Sequence, residues 1–479
     1  MSSSTTPNSS QHNIGAWTAP SVTDIESDDQ FRLAVHKWLQ RVDPVFPRLA
    51  HLFEPLRMHG RLRKEVVDLT GQEVDVLTVS IHFDGSITLR EVIASSHISG
   101  KKLYRARPGD VVLSRIDVHH GATGVLPDEF GEAFFTNEFI IFEPAPSLNR
   151  VFLQLLLRQP YYRLETRGEA SGSTGRKRFA HHDLPKIQIP VFARPTQDQI
   201  VEAYQEKLAE AHEVQKQIDQ TQAAAHVKLL QALKLEPISY TDPHGMFTID
   251  PDEVAASYNS RLDVRFQAPV QRTLEESLVM LGFVRLRDGL LRERPIKKRA
   301  PGLRDTWDEQ IPILKVRNLT DDEINWDDVD YVTQPTFADM DAAYHLRMED
   351  VLVSATGRGS IGKIGLMEEE RDATVDGHVM IVRPEPSRLD PEFLVHYLRT
   401  SVGQAQFERL YVGSTGQTEF NVEDMEHMLV PPVRIDQQRY VASDVRPYVL
   451  RTRELRQRQE EIKAEAEEVF LQELLKAAG

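Results

Sequence analysis

The sequence contains no cysteine in 479 residues, which excludes disulfides, thiolate metal sites and cysteine nucleophiles together. It lacks any run of about 18 apolar residues, so no membrane-spanning helix is predicted. Residues 1–15, rich in Ser, Thr and Asn, have neither the charged start nor the apolar stretch of a secretory signal. The chain is therefore expected to be cytoplasmic, with a disordered lead-in over residues 1–25. Positive charge is also scarce: 57 Lys and Arg stand against 73 Asp and Glu, a net charge of −16. Taken alone, that balance counts against a nucleic-acid partner.

What is present is a duplication. The tetrapeptide Gly172-Ser173-Thr174-Gly175 returns as Gly413-Ser414-Thr415-Gly416, 241 residues later. Pro108-Gly109-Asp110-Val111-Val112-Leu113-Ser114 answers to Glu349-Asp350-Val351-Leu352-Val353-Ser354 at an offset of 240, Phe152-Leu153 to Phe393-Leu394 and Asp183 to Asp424 at 241, and Pro190 to Pro432 at 242. An offset that creeps by single residues marks one unit written twice with small insertions. A period this long denotes two domains and lies far outside the solenoid range of roughly 20–50 residues; the length suits two to four domains.

Each half ends in a segment unlike the rest of it, the first having no glycine or proline over residues 197–236. Over residues 197–236, Tyr204, Leu208, Ala211, Ile218, Ala225, Leu229 and Ala232 fall at heptad-like steps with Gln215 and Gln222 at the skipped positions, which predicts one long amphipathic helix stopped by Pro237. After Pro447, Leu455, Ile462, Ala466, Val469, Phe470 and Leu474 form a second stripe. Two matched stripes are best covered by packing the helices on each other; a helix laid on its own domain is the alternative. The rest of each half reads as mixed α/β. Val111-Val112-Leu113, Phe139-Ile140-Ile141-Phe142, Val351-Leu352-Val353 and Val379-Met380-Ile381-Val382 are β-prone runs, and residues 150–158 and 391–400 look helical. The halves also open alike, at Arg41-Val42-Asp43 and Arg261-Leu262-Asp263, and Val76-Leu77-Thr78-Val79 is matched to Ile313-Leu314-Lys315-Val316. The expected division is a lead-in over 1–25, a first α/β domain over 26–195, a long helix over 196–236, a second α/β domain over 237–434 and a second long helix over 435–479.

Several motifs suggest chemistry and fail on inspection. Gly357-Arg358-Gly359-Ser360-Ile361-Gly362-Lys363 nearly spells a P-loop, but Ile364 stands where a Ser or Thr would hold Mg²⁺. A short strand, Gly365-Leu366-Met367, follows in place of a helix, so the glycines read as a turn between strands. His119-His120 and His181-His182 have no counterparts at ligand spacing in the second half. Ser114 and Ser354 lie outside any nucleophile-elbow pattern. The chain is expected to catalyse nothing.

Local charge differs from net charge. Residues 150–194 and 285–304 each carry a basic excess of +6, and the loop continuing Gly172-Ser173-Thr174-Gly175 into Arg176-Lys177-Arg178 offers hydroxyls, backbone N–H groups and guanidinium groups suited to phosphate contact. A solvated basic loop is the plainer alternative.

The order of these motifs, given twice, resembles the specificity subunit of type I restriction-modification systems. The Asp-Val strands, the turn Ile361-Gly362-Lys363-Ile364-Gly365, the Gly-Ser-Thr-Gly loops with Phe179 and Phe420-Asn421, Asp183-Leu184-Pro185-Lys186 and Gln437-Gln438 carry the likeness from about Arg41 onward. The Arg-x-Asp opener and the long N-terminal extension suit a divergent branch, such as a methylation-based phage-defence system. The resemblance implies two target recognition domains, each followed by a long helix, with the helices paired as an antiparallel coiled coil. It implies a non-catalytic reader of a bipartite double-stranded DNA target. It also implies adenine methyltransferase subunits, two in number, that bring S-adenosylmethionine, while this chain holds no cofactor or metal; an ATP-dependent restriction subunit is an optional further partner. The DNA contacts expected are Ser173, Thr174, Arg176, Lys177 and Arg178 in the first domain, and Arg358, Lys363, Ser414, Thr415 and Gln417 in the second. A duplicated coiled-coil scaffold that binds only protein is the competing reading.

Overall fold

The structure, a computed structural model, describes residues 45–67, 75–94, 102–168, 178–237, 247–257, 260–297, 310–320, 323–327, 329–413 and 418–479. It divides into two compact units, Met1–Glu210 with Ile462–Gly479, and Ala211–Glu461. Each unit is mixed α/β, as the sequence predicts.

In the first unit a four-stranded antiparallel sheet runs in the order Gly60–Leu62, Phe139–Pro144, Val111–Ser114, Thr123–Val125. Val111–Ser114 is buried along its whole length, which explains a continuous apolar run in place of alternation. Asn149 caps the next helix, Arg150–Arg158, by accepting from Val151 N–H and Phe152 N–H. That helix buries Phe152, Leu153, Leu155, Leu156 and Leu157 in the core that also holds Phe46, Tyr162 and Phe179.

The second unit repeats this frame. Ile364–Leu366, Val351–Ser354 and Val379–Val382 form an antiparallel sheet, and Val351 faces Val382 as Val111 faces Phe142. Asp390 caps Pro391–Arg399 through Phe393 N–H. The place held by Gly60–Leu62 in the first unit is taken by residues 291–296, which bridge to Ile381 and Pro384.

Outside the frames the units diverge. The first carries the hairpin Asp75–Ile81 with Ile87–Ala94, bulged between Thr78 and Val79. In the second, Ile311–Leu314 pairs antiparallel with Asp330–Val332 and parallel with Thr374–Val375. The strands matched by sequence at Val76 and Ile313 therefore sit in different sheets and are not equivalent; short β-prone runs look alike whatever their partners.

The long helices are Arg194–Leu233 and Ile435–Ala477. The first ends before Pro237, because Lys234 turns left-handed at φ 56° and Leu235 N–H bonds Leu230 O at 2.9 Å. Within the first unit Tyr204 packs on Phe470, ring centroids 6.3 Å apart, and Lys207 pairs with Glu465 at 2.7 Å. Within the second, Gln459 donates to Ala211 O at 3.2 Å and Lys228 pairs with Asp444 at 3.1 Å. Numbers rise on one helix as they fall on the other, so the pairing is antiparallel in each unit. Gln215, at a skipped stripe position, accepts from buried Gln459 at 2.9 Å, a polar rung that specifies register. No helix among the described residues is long and apolar enough to cross a membrane.

Candidate nucleic-acid interface

The same backbone turn prepares each frame. Gly109 (φ 87°) and Glu349 (φ 71°) are both left-handed, and their N–H groups bond Leu126 O at 2.9 Å and Met367 O at 2.8 Å. The Asp that follows accepts from the N–H three residues earlier, Arg107 at 2.8 Å and Arg347 at 3.0 Å. Each Asp is 3% exposed and carries an arginine, Arg63 on Asp110 and Arg383 on Asp350, each through two nitrogens. Such forked pairing neutralises a carboxylate that burial would otherwise penalise.

At the far end of the strand the loops of interest begin and end. Phe179 N–H bonds Arg115 O and Phe420 N–H bonds Ala355 O, both at 2.9 Å, and both rings are fully buried. Each Gly-Ser-Thr-Gly loop is thus anchored at its exit to the residue after Ser114 or Ser354. Ser173, Thr174, Arg176, Lys177, Ser414, Thr415 and Gln417 lie outside the described residues. Arg178 is described, and its Nε donates to Glu138 at 2.8 Å; this hydrogen bond raises the Arg178 pKa and holds the Glu138 carboxyl below its ordinary range. Arg358 and Lys363 come together on one turn of the second unit, Arg358 exposed and Lys363 half-buried, neither with a side-chain hydrogen bond or ion pair among the described residues.

The basic excess read from sequence is met in part, among the described residues, by acids outside the counted windows. Arg158 meets Glu467, Arg178 meets Glu138, Arg194 meets Asp198, and in the second window Arg285 meets Glu275, Arg294 meets Glu423 and Glu426, and Lys297 meets Glu419. A count along the chain cannot see partners brought by folding. Among the described residues of the second unit, Arg358 and Lys363 are two cations left unpaired on one turn.

Two features were missed in the sequence, the clamping role of two glutamines, of which Gln438 figured only in the resemblance, and a cluster of rings. Gln197 and Gln438, 241 residues apart, start the long helices and are nearly inaccessible. Gln197 accepts from Asn149 N–H at 2.7 Å and donates to Ser147 O and Phe192 O. Gln438 accepts from Asp390 N–H at 2.8 Å and donates to Arg388 O and Val433 O. Each clamps the capped helix of its frame to the start of its long helix, and their common offset was the available signal. The second is a ring cluster in the first unit: Phe83, 59% exposed at the hairpin tip, lies 5.5 Å from His120, which lies 4.1 Å from His119. Arg163 Nε donates to His119 O at 3.0 Å. The histidines thus serve packing here, and among the described residues no three His, Asp or Glu side chains gather as a metal site. Flat exposed rings of this kind suit stacking on bases or sugars.

No family model matches the sequence, and no curated protein was found similar to it. Solved structures are. The chain is similar to the HsdS subunit from Thermoanaerobacter tengcongensis, at 15% identity over 89% of this chain and 95% of that one, with a TM-score of 0.34. It is also similar to a chain from a structure of the type I R-M system concerned with complex assembly and conformational transition, at 16% identity, 89% and 97% coverage and a TM-score of 0.36. The type I restriction-modification system S subunit from M. genitalium matches at 13% identity, 88% and 95% coverage and a TM-score of 0.32. These neighbours are HsdS specificity subunits of type I restriction-modification systems.

Proposed function

We propose that this chain is the sequence-reading subunit of a type I restriction-modification-like complex, in which each unit reads one half of a bipartite DNA target. The observation that carries the reading is the duplicated clamp, Gln197 and Gln438, each tying a frame to its own long helix. A reader must be held rigidly while its contact surface varies. Here the clamp bonds of the two frames are the same, while the inserts and loop sequels differ. The loops 172–178 and 413–417, with Arg358, supply phosphate contacts, and the variable inserts supply base readout. Adenine methyltransferase subunits dock on the helix pair, bind S-adenosylmethionine and act on the flipped base, so this chain has no reaction of its own.

The test is a genome-wide methylation profile of cells expressing the chain with adenine methyltransferase subunits. A single bipartite motif that disappears with the chain is the expected result; methylation without any motif sinks the proposal. The absorbed basic charge favours a second reading, a protein-only scaffold. It predicts that duplex binding by the assembled complex is weak, without sequence preference and nearly independent of salt. A reader making six phosphate contacts loses about a thousandfold in affinity between about 50 and 200 mM salt.

A further inference from the structure

The glycine turn that failed as a P-loop opens onto a cleft of about 330 Å³ in the second unit. Gly359 and Lys363 line it from the turn, Arg399 from the helix Pro391–Arg399, His226 from the first long helix and Tyr448 from the second. Four of its lining residues are Lys, Arg or His and none is Asp or Glu, in a chain whose net charge is −16. The turn is fixed from behind: Gln404 donates to Gly362 O at 3.0 Å and Arg399 Nη2 to Ile364 O at 2.6 Å. Gly357 and Gly359 are left-handed, at φ 90° and 81°, and the N–H groups of Arg358 and Gly359 make no hydrogen bond among the described residues. Successive free N–H groups in such a turn form an anion-binding nest. Ala225, Leu229, Val445, Val449 and the ring of Tyr448, from the two long helices, make an apolar wall of the same cleft. In the first unit buried Ala122 stands where Lys363 stands.

We propose that this cleft binds a small phosphorylated ligand with a planar apolar body, of nucleotide size, once per chain. The phosphates meet Lys363 and the nest, and the body lies along the apolar wall between the turn and the helix pair. Binding is the whole of the role, because Ile364 leaves no hydroxyl to hold a metal ion beside the phosphates. The proposal is independent of DNA reading: a phosphodiester of duplex DNA is also an anion, with a single charge, but would leave the apolar wall empty.

Calorimetric titration of the full-length chain with ADP and with pyrophosphate tests it. The expected result is saturable binding of one ligand per chain, ADP about fivefold or more tighter than pyrophosphate, and both weakened about tenfold in Lys363→Met. Saturating duplex DNA leaves both affinities unchanged. Absence of saturable binding up to about 5 mM, equal affinity for the two ligands, or undiminished binding by the variant overturns the proposal. Displacement by duplex overturns it too, and assigns Lys363 to the DNA backbone. The variant's fold is checked by its thermal melt, and Lys363→Arg should restore most of the phosphate affinity. Failure of DNA reading would show in the methylation profile and leave these titrations untouched.

Discussion

The two units solve the same backbone problem with different side chains. Asp110 and Asp350 sit alike at the head of a buried strand, yet Asp110 takes Arg63 from the segment before it and Asp350 takes Arg383 from the strand beside it. Gly124 and Gly365 each face an isoleucine of the neighbouring insert, Ile87 and Ile324, whose Cγ1 would lie 2.6 Å from an added Cβ. The inserts differ in topology but meet the frame through the same glycine. Conformation and contact distance are what the duplication preserves; the identity of the partner is free to change. A module whose surface must vary while its position stays fixed needs that freedom.

Removing the buried acids should be the most damaging way to probe the comparison. Asp350→Ala leaves Arg383, 3% exposed, without its principal partner, and Asp110→Ala does the same to Arg63, 10% exposed. Each should cost about 3–5 kcal/mol in urea melts. Arg383 retains an ion pair with Glu293 and Arg63 one with Glu143, so a difference above about 1 kcal/mol between the variants would break the equivalence of the frames. The clamps come next. Gln197→Ala and Gln438→Ala each strand one N–H and two carbonyls, a loss of about 2–4 kcal/mol. Equal losses sharpen the comparison, while a stable Gln197→Ala protein would mean that only the second frame is tied to its helix. Gly124→Ala and Gly365→Ala should cost about 1–3 kcal/mol by overpacking. Gly124 is the worse site because the backbone carbonyl of Gly85, 2.9 Å from the new Cβ, cannot rotate away.

Much of this was legible in the sequence because it is local or periodic. Val379-Met380-Ile381-Val382 and residues 150–158 are found as a strand and a helix with the predicted bounds, since their apolar runs end at turn residues or a cap. The paired helices follow from stripes that must be covered. What stayed hidden depends on partners distant along the chain. Arg158, Arg178 and Arg294 counted as free cations until folding set Glu467, Glu138 and Glu423 beside them. The clamp of Gln197 was invisible because a glutamine in a helix's first turn ordinarily means solvent. Of the predicted contacts, Arg358 and Lys363 lie on one turn, Arg178 is paired with Glu138, and the other loop residues fall outside the described part of the chain.

One difference between the units is electrostatic. Where the first helix has half-buried Val151, the second has Glu392, bonded by Arg446 and lying 3.6 Å from buried His396. Burial would raise the Glu392 pKa, but the hydrogen bond from Arg446 and the nearby His396 override it and hold it at about 2. A carboxyl depressed in the folded state stabilises above its unfolded pKa, and that stability is lost as pH falls from about 4.5 toward about 2. Glu392→Gln should therefore cost about 1–2 kcal/mol at pH 7 and little at pH 2. A cost that did not shrink on acidification would assign the effect to packing.

The smallest expected effect runs in the opposite direction. Glu349 holds a left-handed backbone, φ 71°, that its counterpart Gly109 holds at 87°. A side chain in this region costs roughly 1 kcal/mol, and nothing in the structure offsets it, since the N–H bond to Met367 O belongs to the backbone and survives any substitution. Glu349→Gly should therefore stabilise the second unit by about 0.5–1 kcal/mol, less the entropy glycine adds to the unfolded chain. Gly109→Ala should destabilise the first by more than that, because the new Cβ would also lie 2.0 Å from Nη1 of Arg150. If Glu349→Gly were neutral or harmful, the exposed carboxylate would be under selection for contact rather than tolerated as strain. The turn would then belong to the variable surface of its reader and not to the preserved frame.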